Sequence, residues 1–142
     1  MQGTPRTWEE SLHLAVGKTD TATLRSLLER ADIRGRLQRQ RTWREWRPLH
    51  RAAHLCDLDK MRLLLAAGAR PASVNDLDAG LLHTAAMTVK DGVGEMIELL
   101  LSVGVDPGRK GGPLNQTPME VAAERENQKA IAALEGMLNK NQ

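Results

Sequence analysis

Apolar residues fall along this chain in short clusters of two alternating kinds. The first kind ends in small residues: ESLHLAV from Glu10, RPLHRAA from Arg47, GLLHTAA from Gly80 and TPMEVAA from Thr117. The second is rich in leucine: LRSLLERA from Leu24, MRLLLAAGA from Met61, MIELLLSVGVD from Met96 and IAALEGML from Ile131. Spacing of i, i+3 and i+4 places each cluster on one face of a helix. Each pair therefore predicts a short helix faced with alanine, a turn, and a longer helix faced with leucine. Gly68 and Gly104 stand where the longer helix is expected to stop in a left-handed cap. Pro71 and Pro107 follow and keep the helix from resuming.

The clusters repeat in register. Their corresponding residues Leu12, Leu49, Leu82 and Met119 are 37, 33 and 37 positions apart. One helix pair cannot bury both an alanine face and a leucine face. Stacking neighbours supplies the missing cover and makes one elongated core. Small residues at Ala52 and Ala53, Ala85 and Ala86, and Ala122 and Ala123 are expected to let helices approach closely. Leu27, Leu28, Leu63, Leu64, Leu65, Leu99, Leu100, Leu101 and Leu134 are expected to fill the space between them.

These segments resemble the ankyrin repeat, with its TPLHLAA first helix, leucine-rich second helix and period of about 33 residues. RPLHRAAHLCDLDKMRLLLAAGA is the fullest copy, and the resemblance extends from Thr7 to Leu138. It implies a single all-α domain: a solenoid of stacked helix-turn-helix units with β-turn finger loops, divided into repeats at about 7–41, 42–74, 75–111 and 112–142. The copies depart from the family pattern in places. Unit one has Ala31 where a glycine should end the helix, and a long connection follows it. Unit three carries extra residues in MTVKDGVG, and unit four has Glu120 where the motif has histidine. The first and last units are read as caps, whose outer faces meet water.

A core of alanine and leucine explains why the chain has no Phe or Tyr and only three Trp. It also makes the position of two of them conspicuous. Trp43 and Trp46 sit inside a basic run: seven arginines lie between Arg34 and Arg51 against the single acid Glu45. The net charge of +2 thus combines +6 in this segment with −4 in the remainder. No stretch approaches the ~20 apolar residues that cross a bilayer, and the opening MQGTPRTWEE has no leader pattern. The expectation is a cytoplasmic protein, or a nuclear one if eukaryotic, with no membrane partner. The single cysteine, Cys56, fits a reducing compartment and is read as a small half-buried hydrophobe.

Little in the sequence points to catalysis. His13, His50 and His83 hold the histidine position of TPLH, where the resemblance implies a structural role bonding the backbone of the turns. One imidazole from each stacked unit is too far from the next to share a zinc ion, since packed helices lie about 8–10 Å apart. His54 and Cys56 have no further ligands close by to complete a metal set. Asp57 and Asp59 open a helix and suit its dipole. GRKGG, from Gly108 to Gly112, lacks the spacing of a phosphate-binding loop and is read as a flexible connection. No enzymatic activity, metal, cofactor or small-molecule substrate is expected.

Function is then expected at the surface, and the resemblance implies which surface: the fingers and the adjacent face of the first helices, which bind protein partners. Aligned on the family pattern DxxGxTPLH, the free finger positions are Trp43, Arg44 and Trp46 in unit two, and Asp76, Leu77 and Ala79 in unit three. In unit four they are Pro113, Leu114 and Gln116. Residues after the alanine pairs, His54, Leu55, Glu124 and Arg125, are expected to line the groove. Trp43 and Trp46 have a second reading, in which one of them folds back as a lid over the neighbouring finger, and Trp8 is expected to cover the end of the stack.

The expected function is a non-catalytic protein-protein interaction module, whether adaptor, inhibitor or toxin-neutralising partner. It would bind an acidic, partly apolar protein surface, with Arg36, Arg39, Arg41, Arg44 and Arg47 steering association and tryptophan supplying contact area. The alternative is nucleic-acid binding, in which the Arg34–Arg51 segment contacts phosphate and Trp43 or Trp46 stacks on a base. The acidic remainder of the chain weighs against it.

Overall fold

Backbone hydrogen bonding within short segments builds nearly all of the described architecture, which is all-α. The computed structural model describes residues 14–17, 21–30, 43–72, 74 and 78–140, with the backbone alone for 43–47 and 137–140. A helical turn at 14–17 is followed by α1 (Thr21–Leu28), α2 (Trp43–Leu55), α3 (Leu58–Ala66), α4 (Leu81–Ala86), α5 (Val93–Ser102), α6 (Pro118–Glu124) and α7 (Gln128–Lys140). Extended pairing among the described residues is limited to isolated antiparallel bridges, Val74 to Gly80 and Gly111 to Gln116.

Neighbours in sequence pack as pairs: α2 on α3, α4 on α5 and α6 on α7. The pairs then meet side by side, with α2 on α4, α4 on α6, α1 on α3 and α5 on α7. The leucine triplets show how this works. Leu64 and Leu100, the middle members, are fully buried, while Leu63, Leu65, Leu99 and Leu101 are half-buried against the same core. Ala52, Ala53, Ala85, Ala86 and Ala122 are buried at the close helix approaches. Ala123 departs from expectation and is exposed. Its counterparts Ala53 and Ala86 belong to helices that a following pair covers, whereas the main contacts of α6 among the described helices are with α4 and α7.

The ends of α2, α3, α5 and α6 follow one scheme. At Gly68 (φ 107°) the amide bonds Leu65 O at 3.1 Å and the next amide, Ala69 N, bonds Leu64 O at 3.1 Å. Gly104 (φ 95°) repeats both bonds with Leu101 O and Leu100 O. This pair of bonds satisfies the last carbonyls of a helix and requires a left-handed residue, which is why glycine stands there. The first helices end the same way at Cys56 (φ 54°) and Glu126 (φ 54°), without glycine. At the start of α3 the Asp57 carboxylate accepts from Lys60 N at 3.1 Å and so caps the helix that its position was expected to open.

Buried polar side chains tie one pair to the next. Lys60 Nζ donates to Val16 O at 2.8 Å, capping the helical turn that precedes α1. Asn127 Nδ2 donates to Ala86 O at 3.0 Å and Thr88 O at 2.6 Å, capping the end of α4, while its Oδ1 accepts from Ala130 N at 3.3 Å. Val16 and Ala86 are corresponding residues of units one and three, so two different side chains serve one carbonyl position. Cys56 is half-buried, and desolvation raises its thiol pKa above the ordinary value, with Lys90 opposing. That environment suits packing and disfavours a reactive thiolate.

Leu64→Ala removes a fully buried side chain at the centre of the α3 leucine triplet and should cost about 2–5 kcal/mol. Urea unfolding of the variant should show a lower midpoint with an unchanged slope; an unchanged midpoint would contradict the packing register described above.

Candidate functional site

The turns before α4 and before α6 carry the site. Each has a left-handed residue at a corresponding position, Asp78 (φ 63°) and Asn115 (φ 51°), and the turn before α6 has a second at Gly112 (φ 80°). Asp and Asn tolerate this conformation better than other non-glycine residues because their short polar side chains bond locally. Gly112 N donates to Asp78 O at 3.1 Å, so the two turns touch backbone to backbone. A Cβ on Gly111 would collide with that same Asp78 carbonyl. The glycine-rich stretch is thus a close-approach device. It is not the flexible connection expected from its composition: Gly111 exchanges hydrogen bonds with Gln116 at 2.8 and 3.0 Å. Arg109 reinforces the contact, donating to Asp78 Oδ1 at 2.8 Å and Asp78 O at 3.0 Å.

Unit two differs. Trp43, Arg44 and Trp46 do not lie in a finger loop, because α2 begins at Trp43, five residues ahead of where α4 and α6 begin in corresponding positions. The residue at the left-handed turn position there is Glu45, which cannot make the local bonds of Asp or Asn. Thr42 and Glu45 also have the spacing of a capping box, Thr-x-x-Glu, a helix-start signal that the finger alignment passed over. Pro48 sits inside α2, where it offers no N–H to Arg44 O. Arg39, Arg41, Asp76 and Leu77, and with them Trp8 and His13, lie outside the described residues.

His83 sets the base of the site. Its ring is buried; Nδ1 accepts from Gly80 N at 3.2 Å and Nε2 lies 2.7 Å from Gln116 O. A donor on one side and an acceptor on the other require the neutral Nε2–H tautomer. One ring nitrogen caps α4 and the other holds the next turn. Burial pushes the His83 pKa below its ordinary 6.5, against the Gln116 hydrogen bond and with help from Arg109. His50 reaches across in a different way, with Nδ1 at 3.3 Å from Thr84 Oγ1. Glu120 takes the capping half of the His83 role: its Oε1 accepts from Thr117 N at 3.0 Å, and Thr117 Oγ1 accepts from Glu120 N at 3.2 Å. These hydrogen bonds hold the Glu120 carboxyl below its usual range.

Between these turns and the first helices lies a cavity of about 190 Å³. Leu114, Gln116 and Arg125, three of the residues expected at the surface, line it together. Leu114 is 66% exposed, and Gln116 Nε2 donates to Glu124 Oε2 at 2.8 Å. Ala79 borders the same cavity but is only 5% exposed, so it serves as floor and not as a free contact; the adjoining turn at Gly112 packs over it. His54 is exposed at the end of α2 and Leu55 packs against the core, so neither joins this cavity. Met87, Pro113 and Val121 supply the rest of the apolar lining. Met87, 45% exposed, was missed as a site residue although it follows Ala85 and Ala86 as His54 follows Ala52 and Ala53.

Among the described residues no three His, Cys, Asp or Glu side chains are grouped to hold a metal ion, and no helix is long and apolar enough to cross a membrane. The sequence matches no model of a known protein family and no curated protein.

A depressed histidine pKa carries a definite sign. Below pH 6.5 the unfolded chain takes up a proton at His83 that the folded chain refuses, so stability should fall as pH drops through that range and level off below the folded-state pKa. Urea unfolding at stepped pH, compared between the wild type and His83→Gln, should show this component of the pH dependence in the wild type alone. Identical pH profiles would mean that the ring is not held neutral.

Proposed function

We propose that the chain is an ankyrin-repeat protein of four repeats, 7–41, 42–74, 75–111 and 112–142, acting as a non-catalytic protein-protein interaction module. It would be an adaptor, inhibitor or toxin-neutralising partner that takes an acidic, partly apolar protein surface against its turns and groove. Support for the repeat reading comes from the corresponding left-handed residues Asp78 and Asn115, from the matching ends at Gly68 and Gly104, and from pairs that pack first helix on first helix and second on second.

The observation that carries the binding reading is the apolar cavity itself. Leu114 and Met87 are large, exposed hydrophobics on its wall, yet the stack does not need them for its own core. Exposed apolar side chains around a concavity with a polar rim mark a contact surface. Interfaces of this kind draw most of their energy from a few central anchors. The nucleic-acid alternative gains nothing from this groove, whose lining has no tryptophan on which a base could stack and whose charged members, Glu124 and Arg125, balance each other.

The double substitution Leu114→Asp with Met87→Asp tests the reading. Both side chains are exposed, so the melting temperature should change little. Capture of a specific partner from the native cell extract, measured against the wild type by affinity isolation and mass spectrometry, should fall more than tenfold. A partner retained at full strength by the double variant would move the binding surface away from this groove.

A further inference from the structure

His83 holds the groove by two bonds that respond in opposite ways to a proton. Nδ1 accepts from Gly80 N at 3.2 Å, and Nε2 donates to Gln116 O at 2.7 Å. A proton added at Nδ1 sets two donors face to face, because a backbone N–H cannot reverse its role. The same proton makes the ring cationic and strengthens the bond to Gln116. The ring therefore stays with Gln116, and the turn at Gly80 gives way. That turn carries Ala79, the floor of the cavity, and Asp78, whose carbonyl accepts from Gly112 N.

The opposite end of the same interface does not titrate. There Asn127 holds Ala86 O and Thr88 O with a neutral amide, and α5 packs on α7 through buried Ile97, Ala130 and Leu134. The bond from His50, which α2 brings against α4, survives protonation: Thr84 Oγ1 gives its own proton to Gly80 O at 3.2 Å and accepts from the His50 ring at 3.3 Å. Two charges face His83 from the turns, Arg109 opposing its protonation and Asp78 favouring it, and they are paired with each other at 2.8 Å. From the α6 side Glu124 and Arg125 line the same cavity, while Glu120 is held at Thr117. The described charged side chains of α5 and α7, Glu95, Glu98, Lys129 and Glu135, are exposed and line no part of it.

We propose that the groove is acid-gated: protonation of His83 at Nδ1 releases Gly80 N, detaches the turn at 78–80 from the ring and opens the turn end of the interface between α4 and α6, while Asn127 keeps the other end closed. Burial opposes this protonation, so the opening belongs below pH 6.5. A partner seated over Ala79 is released as the floor beneath it moves. That consequence rests on the interaction-module reading, whereas the opening itself does not.

Amide hydrogen exchange of the full-length protein, compared at each pH with His83→Gln, tests the opening. Glutamine offers an acceptor and donors in one neutral group, so the variant keeps partners for Gly80 N and Gln116 O and takes up no proton. In the wild type, protection of Gly80 and Gly112 relative to the variant should fall about tenfold for each pH unit below 6.5 and level off below the folded-state pKa. Asn127, whose amide bonds Ala122 O at 2.9 Å, and Val105, whose amide bonds Leu100 O at 3.1 Å, should be protected equally in both proteins. Nitrogen-15 spectra of the wild-type ring need no variant: Nδ1 should be unprotonated at neutral pH and titrate with the same midpoint as the amide shift of Gly80. Three results would overturn the proposal. They are equal pH profiles in the two proteins, loss of protection at Asn127 and Val105 in step with Gly80, and a ring that titrates with no change at Gly80. The two readings fail separately. A groove that opens in acid while the Leu114 and Met87 double variant keeps its partner removes the interaction module alone, and protection at Gly80 that matches the variant at every pH removes the opening alone.

Discussion

A stack built from alanine and leucine faces is well buried but weakly specified in register, because one apolar contact resembles another. Buried polar side chains remove that freedom. Lys60, His50, His83 and Asn127 are each buried, and each bonds across to a neighbouring helix pair: to Val16 O, Thr84 Oγ1, Gln116 O, and the carbonyls of Ala86 and Thr88. A buried donor or acceptor left unmet costs about 1–3 kcal/mol. Sliding or rotating one pair against the next breaks such bonds before it disturbs the leucine packing. The polar groups therefore decide which of many apolar stackings is adopted.

The groove is a product of the same constraint. His83 spends one nitrogen on its own helix and the other on the turn that follows, and that turn meets the preceding one through Gly112 N and Asp78 O. Two turns fixed so closely create a wall against which Leu114 and Met87 stand exposed. The cavity thus owes its shape to backbone contacts, while its chemistry is set by side chains that the fold leaves free to vary. Such a division lets one scaffold carry different binding specificities.

Much of this was readable from residue order because the determining interactions are local or periodic. The left-handed caps at Gly68 and Gly104, the helix start at Asp57 and the apolar faces of the leucine clusters follow from rules acting within one or two turns of helix. Leu114, Gln116 and Arg125 were placed by counting along a repeat, and counting works where a unit repeats faithfully. It failed at Ala79, whose burial depends on a turn 33 residues away, and at Ala123, whose exposure depends on which helices pack on α6. The finger expected at Trp43, Arg44 and Trp46 failed for a local reason: Glu45 stands where Asp or Asn stands in the other two turns, and a capping-box spacing favours helix.

The amino-acid sequence alone determined the all-α class, the alternation of alanine-faced and leucine-faced segments, their phase, and the points where the longer helices stop, since all of these follow from side-chain period and backbone preference. Tertiary structure decided which polar groups meet. Glu120 takes the capping half of the role that His83 plays because that bond needs only an acceptor, which the residue names do not disclose. The glycine-rich stretch at 108–112 became a hydrogen-bonded contact instead of a flexible link because the Asp78 carbonyl lies where a Cβ on Gly111 would be and accepts from Gly112 N. The hydrogen bond from Gln116 to Glu124 and the ion pair of Arg109 with Asp78 join residues 8 and 31 positions apart, and only packing brings such residues within the few ångströms over which charge and hydrogen bonding act.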